Sequence, residues 1–193
     1  MKKDIIIVGV GGQGILLASR VLGKLALEAG LDIKVSEVHG MSQRGGDVIT
    51  HVRVGEKVLS PLVTEGEADT ILAFELLEAA RALPFLKKGG RIVVNSQKIE
   101  PVTVKIGAAE YPQNLEALLE AHGKVFAFDA REVAMHNDAP KSVNIVLLGA
   151  YAAGETFPQE AWLKAVEACV PPKTVEANRR AFLAGWALVK QGE

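Results

Sequence analysis

Two short runs hold the residue types whose spacing could do chemistry. Gly9-Val10-Gly11-Gly12-Gln13-Gly14 fits the pattern G-x-G-x-x-G, between an apolar β-branched run and a helical stretch. Glycines there allow a tight turn and a close approach of backbone to an anion. The following helix start offers unpaired N–H groups and a partial positive charge, which suits a phosphate or carboxylate. The second run is His39-Gly40-Met41-Ser42-Gln43-Arg44-Gly45-Gly46. Its Arg44 can pair bidentately with an anion, and Gly45 and Gly46 would expose further backbone N–H groups. Both runs follow strands, so an open parallel sheet brings them to one carboxyl edge, where such folds bind ligands. The plainer alternatives are that the first glycines only pack helix on strand and that the second run only turns the chain.

The ligand need not be a dinucleotide. A ribose-binding acid belongs at the end of the second strand, about 20 residues past the loop. Asp32 lies at that strand's beginning, and Glu37, better placed on the strand, lies further along. Other constellations are poor. His39, His51, His122 and His136 have no metal-ligand spacing. There is no G-x-S-x-G elbow and no G-x-x-x-x-G-K-[ST] loop. Cys169, the single cysteine, has no evident His partner and reads as a small buried hydrophobe. One cysteine forms no internal disulfide and cannot by itself hold an iron–sulfur cluster or a cysteine-based zinc site. Asn95-Ser96 either reach the ligand edge or form a turn. Asn137 and Asn144 read as a helix approach and an inward polar contact.

The elements that position these residues follow from periodicity. Residues 4–10 are apolar without alternation, as in a parallel strand buried on both faces. Residues 15–29 form a helix whose polar stripe is Arg20, Lys24 and Glu28, closed by Gly30, and 31–38 form a second strand. This is read as one βαβ unit with parallel pairing. Residues 47–54 alternate and, with a turn at Gly55-Glu56, pair with 57–59 as a β-hairpin. Strands at 70–74 and 91–95 flank a helix at 76–86, and Val102, Val104 and Ile106 suit an edge strand. A helix at 115–121 and a strand at 124–128 precede helices at 131–136, 143–153, 159–169 and 175–190. The expected fold is α/β: a Rossmann-like open, mostly parallel sheet flanked by helices, with a β-hairpin insertion and a helical C-terminal part. No repeat or linker divides it, so 1–193 reads as a single domain.

Composition narrows the class. The chain has 193 residues, with 22 basic and 23 acidic side chains and a net charge of −1; 49% are hydrophobic and 5% aromatic. That is an ordinary globular composition with enough apolar content for a full core. The charge balance excludes a basic nucleic-acid binder, and the low aromatic content excludes a base-stacking surface. The apolar run at 5–8 is too short for a signal peptide, and no window approaches a membrane span, so the expected compartment is the cytoplasm.

At the two loops the sequence resembles a known family. Residues 9–14 with Leu16-Leu17-Ala18, Ser36 to Gly46, and His51-Val52-Arg53 resemble the gamma component of 2-oxoacid:ferredoxin oxidoreductases. Glu37-Val38-His39-Gly40-Met41-Ser42-Gln43-Arg44-Gly45-Gly46 is most similar to the beta subunit of the indolepyruvate ferredoxin oxidoreductase form. Glu67-Ala68-Asp69, Ala73-Phe74-Glu75 and Leu83-Pro84 are similar as well. The resemblance implies a subunit, not a complete enzyme. The family oxidatively decarboxylates a 2-oxoacid to an acyl-CoA, with thiamine diphosphate as cofactor and ferredoxin as electron acceptor. Thiamine diphosphate with Mg and the [4Fe–4S] clusters belong to the larger partner subunit, and ferredoxin is reached through that complex. This chain alone holds no cofactor. Gly9, Gly11, Gly12, Gln13 and Gly14 become a candidate cradle for CoA phosphates. His39, Gly40, Met41, Ser42, Gln43, Arg44, Gly45 and Gly46 become an active-site interface, with Arg44 as electrostatic anchor. No catalytic side chain and no metal ligand is assigned. No nucleic acid or membrane partner is implied, and an orphaned interface leaves homodimerisation open to the isolated chain. The alternative is a stand-alone NAD(P)- or FAD-binding oxidoreductase or nucleotide sensor.

Overall fold

The computed structural model describes residues 2–40 and 46–191. Strand β1 (Lys3–Val10) runs into helix α1 (Ile15–Glu28), then β2 (Asp32–His39) and β3 (Asp47–Gly55). Next come β4 (Ala68–Ala73), α2 (Leu76–Ala82), a 3₁₀ turn (Leu83–Phe85) and β5 (Leu86–Asn95). Short helices α3 (Val102–Lys105) and α4 (Leu115–Glu120) precede β6 (Lys124–Phe128). The C-terminal part is helical: α5 (Ala130–His136), α6 (Val143–Ala153), α7 (Gln159–Cys169) and α8 (Val175–Gln191).

The strands form one mixed sheet in the order β2-β3-β1-β4-β5-β6. The last four in that order are parallel to one another, while β3 runs antiparallel to both β1 and β2. This corrects two expectations. The first βαβ unit has the expected crossover helix, but β3 sits between its two strands. The hairpin is made by β2 and β3, registered from Asp32↔Gly55 to His39↔Val48, and residues 57–59 return as no strand. The physical reason lies in burial. Val48, Val52 and Val54 point into one core and His51 is covered on the other face, so β3 gains most in the sheet interior. The less apolar β2 takes the edge.

Residues 102–106 are also not a strand. β6 occupies the outer side of β5, and Pro101 starts helix α3, in which the Ile106 N–H donates to Val102 O. Strand β5 begins earlier than expected, at Leu86, with a register shift against β4 between Ala68↔Leu86 and Thr70↔Arg91. Helix α2 is correspondingly shorter, ending where Leu83-Pro84 tightens the chain into a 3₁₀ turn.

The uninterrupted apolar run of β1 serves both faces of the sheet. Ile5 and Ile7 join Val52, Leu72, Phe74 and Val93 under α1, α6, α7 and α8; Ile6 and Val8 join Ile71, Ala73, Ile92 and Val94 under α2 and α4. Of the central α6, Ile145 to Ala153 are all buried. It crosses α8 with the two backbones in contact: a Cβ on Gly185 would fall 1.9 Å from Val146 O, and one on Gly149 2.1 Å from Phe182 O. Arg20, Lys24 and Glu28 of α1 face solvent as expected, and the helix closes through Gly30 and Leu31 N–H groups on Leu27 O and Ala26 O.

Candidate active-site edge

The carboxyl ends of β1, β4, β5 and β6 meet in a hydrogen-bonded framework centred on a backbone carbonyl, Phe74 O. The glycine loop folds back on its own strand: the Gln13 amide oxygen accepts from Val10 N–H at 2.6 Å, and its amide nitrogen donates to Phe74 O at 3.0 Å. Asn95, fully buried at the end of β5, donates to the same carbonyl (3.2 Å) and to Gln97 Oε1 (3.3 Å). Its own oxygen accepts from Ala130 N–H at 3.0 Å, which ties in the start of α5. Of the two readings of Asn95, the side chain serves as a structural tie, while the residue itself also borders the cleft described below.

The loop's open side is different. Gly12 is exposed, and a Cβ there would meet nothing within 4 Å. Gly14 caps α1 with φ +83°, a conformation that favours glycine, and a Cβ would fall 2.4 Å from Asn144 Nδ2. Asn144 donates to Gly14 O at 3.3 Å, the inward polar contact expected of it. No side chain caps the start of α1, and none caps the start of α6.

The second loop is described only at its two ends. Gly11 N–H donates to Gly46 O at 2.9 Å, so the end of the second loop lies on the first. At the start, Gly40 N–H donates to Asp47 O. His39, exposed at the end of β2, sits 2.6 Å from Glu37 Oε1, while Thr50 Oγ1 donates to Glu37 Oε2. Met41, Ser42, Gln43, Arg44 and Gly45 lie outside the described residues.

Sequence reasoning missed two features of this edge. Glu75, buried immediately after Phe74, caps α2 by accepting from Glu78 N–H and also accepts from Ile99 N–H and from Tyr111 O–H at 2.5 Å. It thereby straps residues 96–114 to the edge. Burial pushes the Tyr111 hydroxyl well above its ordinary pKa, and the bond to Glu75 adds to the shift. The second is a cleft of about 410 Å³ beside the glycine loop, lined by Gly12, Asn95, Gln97, Arg131, Lys141 and Asn144 among others. Arg131 follows the carboxyl end of β6, so the edge rule for open sheets was the available signal; Lys141 carried none. Elsewhere, the buried His51 accepts from Val63 N–H through Nδ1 at 3.2 Å, and burial pushes its imidazole below the ordinary value. Its place is in the core, against Phe85.

An open, mostly parallel α/β sheet flanked by helices, with a glycine loop after its first strand, defines the fold class. The comparisons narrow the class. Residues 4–188 match the family model described as pyruvate ferredoxin/flavodoxin oxidoreductase, and the chain belongs to that family. It is 45% identical over 194 residues to the indolepyruvate oxidoreductase subunit IorB of Thermococcus kodakarensis, covering 97% of this chain and 96% of that one. Among solved structures it is similar to a keto/oxoacid ferredoxin oxidoreductase gamma subunit from Geobacter sulfurreducens, with 27% identity, a TM-score of 0.72, and 98% and 99% of the two chains covered. The fold is shared with a 2-oxoglutarate:ferredoxin oxidoreductase from Magnetococcus marinus, at 20% identity and a TM-score of 0.75. There it covers 98% of this chain but 31% of the larger one, in a complex with 2-oxoglutarate, coenzyme A and succinyl-CoA bound. The chain is a subunit of a 2-oxoacid:ferredoxin oxidoreductase.

Proposed function

We propose that residues 1–193 form one gamma-type domain of an indolepyruvate-type ferredoxin oxidoreductase, acting in the cytoplasm and completing the active-site cleft of a larger subunit. Among the described residues no helix is long and apolar enough to cross a membrane. In this reading the larger subunit holds thiamine diphosphate with Mg and the [4Fe–4S] clusters, and ferredoxin meets the complex there. The single cysteine of this chain cannot ligate such a cluster alone. Thiamine diphosphate supplies the carbon nucleophile and electron sink for decarboxylation. This chain's residues bind and orient: the glycine loop receives CoA phosphates through backbone N–H groups, and His39 to Gly46 face the partner's thiamine and the 2-oxoacid, with Arg44 as a fixed charge.

One observation carries the CoA assignment. The glycine loop lines, through Gly12 and Gln13, a cleft whose lining among the described residues includes Arg131 and Lys141 and no carboxylate. The test is co-expression with the thiamine/iron–sulfur subunit from the same source, followed by affinity capture and viologen reduction. Indolepyruvate, phenylpyruvate and 2-oxoglutarate are compared with and without CoA. A brown complex, active only with both chains and CoA and fastest on indolepyruvate, is expected. A chain that retains no partner and binds NAD(P) or FAD alone overturns the proposal.

A further inference from the structure

Trp162 carries a hydrogen-bond donor that no protein atom meets. The side chain is buried in α7, and its Nε1 is, among the described residues, the buried side-chain nitrogen or oxygen without a partner. Other buried polar groups of the fold are met: Asn178 donates to Thr174 O, Ser19 donates to Leu16 O, and Asn95 and Glu75 hold the partners given above. An indole N–H only donates, and a bare buried donor is unfavourable. The acceptor must therefore come from a ring face or from a molecule that the chain encloses.

The surroundings favour the second. Trp162 lines a cavity of about 20 Å³ at the opposite end of β1 from the glycine loop, among β1, β3, α1, α6 and α7. Ile5, Leu22 and Phe157 give it apolar walls, while Lys3, Tyr151 and Glu155 give it a polar side. One water needs about 10–15 Å³ of such space and two to four polar partners. The buried Glu155 carboxylate pairs with Lys3 Nζ at 3.1 Å and with Arg91 Nη2 at 2.8 Å, each on a different oxygen. An ionised carboxylate accepts at about four positions, so acceptor capacity remains. Tyr151 lies beside it: burial first, and then the Glu155 carboxylate, push its hydroxyl well above the ordinary pKa. A phenol oxygen accepts as well as donates. The rings of Tyr151 and Phe157 stand edge-on to the indole, at centroid distances of 5.9 and 6.4 Å. An N–H on a ring face is nevertheless a weak substitute for a full hydrogen bond.

We propose that this cavity is the site of one internal water, which accepts from Trp162 Nε1–H and donates to the Glu155 carboxylate and the Tyr151 hydroxyl oxygen. The water ties α7 to the end of α6 and, through the Lys3 ion pair, to the first residue of β1. The assignment depends on neither the family nor the proposed activity.

The test uses the full-length chain with isotope-labelled tryptophan. The two indole protons, of Trp162 and of the half-buried Trp186, are distinguished with Trp186→Phe. Magnetisation transfer from water to each is then measured in the laboratory and rotating frames. Opposite signs in the two frames mark a long-lived neighbouring water, and equal signs mark proton exchange. Opposite signs are expected at Trp162, together with an oxygen peak about 2.7–3.2 Å from Nε1 in a high-resolution crystal structure. An indole proton without transfer from water, shifted upfield as an N–H on a ring face is, overturns the proposal. Phe157→Leu removes one candidate ring, and the transfer should persist in it. A Trp162 proton that moves downfield in that variant, with no transfer from water, assigns the ring instead. If Phe157→Leu does not fold, the wild-type spectrum and the crystal decide.

Discussion

The crossing of α6 and α8 sets the position of Asn144 and so of the glycine loop, and it can be perturbed at one atom. In Gly185→Ala two effects oppose each other. Alanine favours the helix by about 0.8–1 kcal/mol over glycine. Against that, the new Cβ would sit 1.9 Å from Val146 O and 3.1 Å from Ala150 N, both backbone atoms that no rotamer change can move. Ordinary contact needs about 3.4 Å or more, so the helices must part by over an ångström along a wholly buried seam. Overpacking of that kind costs about 1–3 kcal/mol, and the upper end applies where backbone must yield. The net expectation is a loss of about 2 kcal/mol, or roughly 4–8 °C in Tm for a chain of this size. Urea unfolding should show a lower midpoint at unchanged slope. Gly149→Ala should behave alike, since its Cβ meets Phe182 O across the same seam. The double variant should cost clearly less than the sum, because the helices need part only once. A Gly185→Ala protein as stable as wild type would refute the reasoning, since propensity alone would then decide the outcome.

Three further outcomes follow from the edge and core. Gln13→Leu strips Val10 N–H of its partner and should cost about 1–3 kcal/mol in urea unfolding. Asn95→Ala leaves Ala130 N–H without its partner, buried as that residue is, while Phe74 O keeps Gln13; a loss of about 2 kcal/mol is expected by the same measurement. His51 is held neutral in the fold, below its ordinary value of about 6.5, so the unfolded chain binds more protons there in acid. Its contribution to stability is fully present above about pH 6.5 and is lost as pH falls below it. His51→Asn, which keeps an acceptor for Val63 N–H, should flatten that part of the pH–stability curve, and an unchanged slope would remove His51 from the account.

What the sequence disclosed depended on the range of the forces involved. The apolar run of β1 and the bounds of β6, α6 and α7 are local periodicities, and they stand where the residues indicated. The insertion of β3 between β1 and β2 is a contest between strands for neighbours, decided by which of them buries both faces, and local alternation cannot report it. Val102, Val104 and Ile106 alternate like a strand, but β6 had taken the place they needed. At the edge, the glycine motif was readable because it is contiguous. The framework behind it converges on a carbonyl, Phe74 O, which has no side-chain signature. Arg131 and Lys141 belong to no motif and meet only through the topology.

That division of labour has a consequence for how the loop works. Gln13 and Asn95 look like ligand-binding amides, yet their hydrogen-bonding groups are largely consumed by Val10 N–H, Phe74 O, Gln97 and Ala130 N–H. Such buried bonds fix the loop before any ligand arrives, which lowers the ordering cost of binding. The outer surface is left with backbone at Gly12, two uncapped helix starts and two cations on separate loops. On the proposed reading this edge attracts charge more than it reads shape, so discrimination among phosphate-bearing molecules comes from what lies beyond the phosphates. On the same reading that task falls to the partner subunit. If the proposed reading holds, affinity for the phosphates and selectivity of the complex for CoA should therefore respond to different residues.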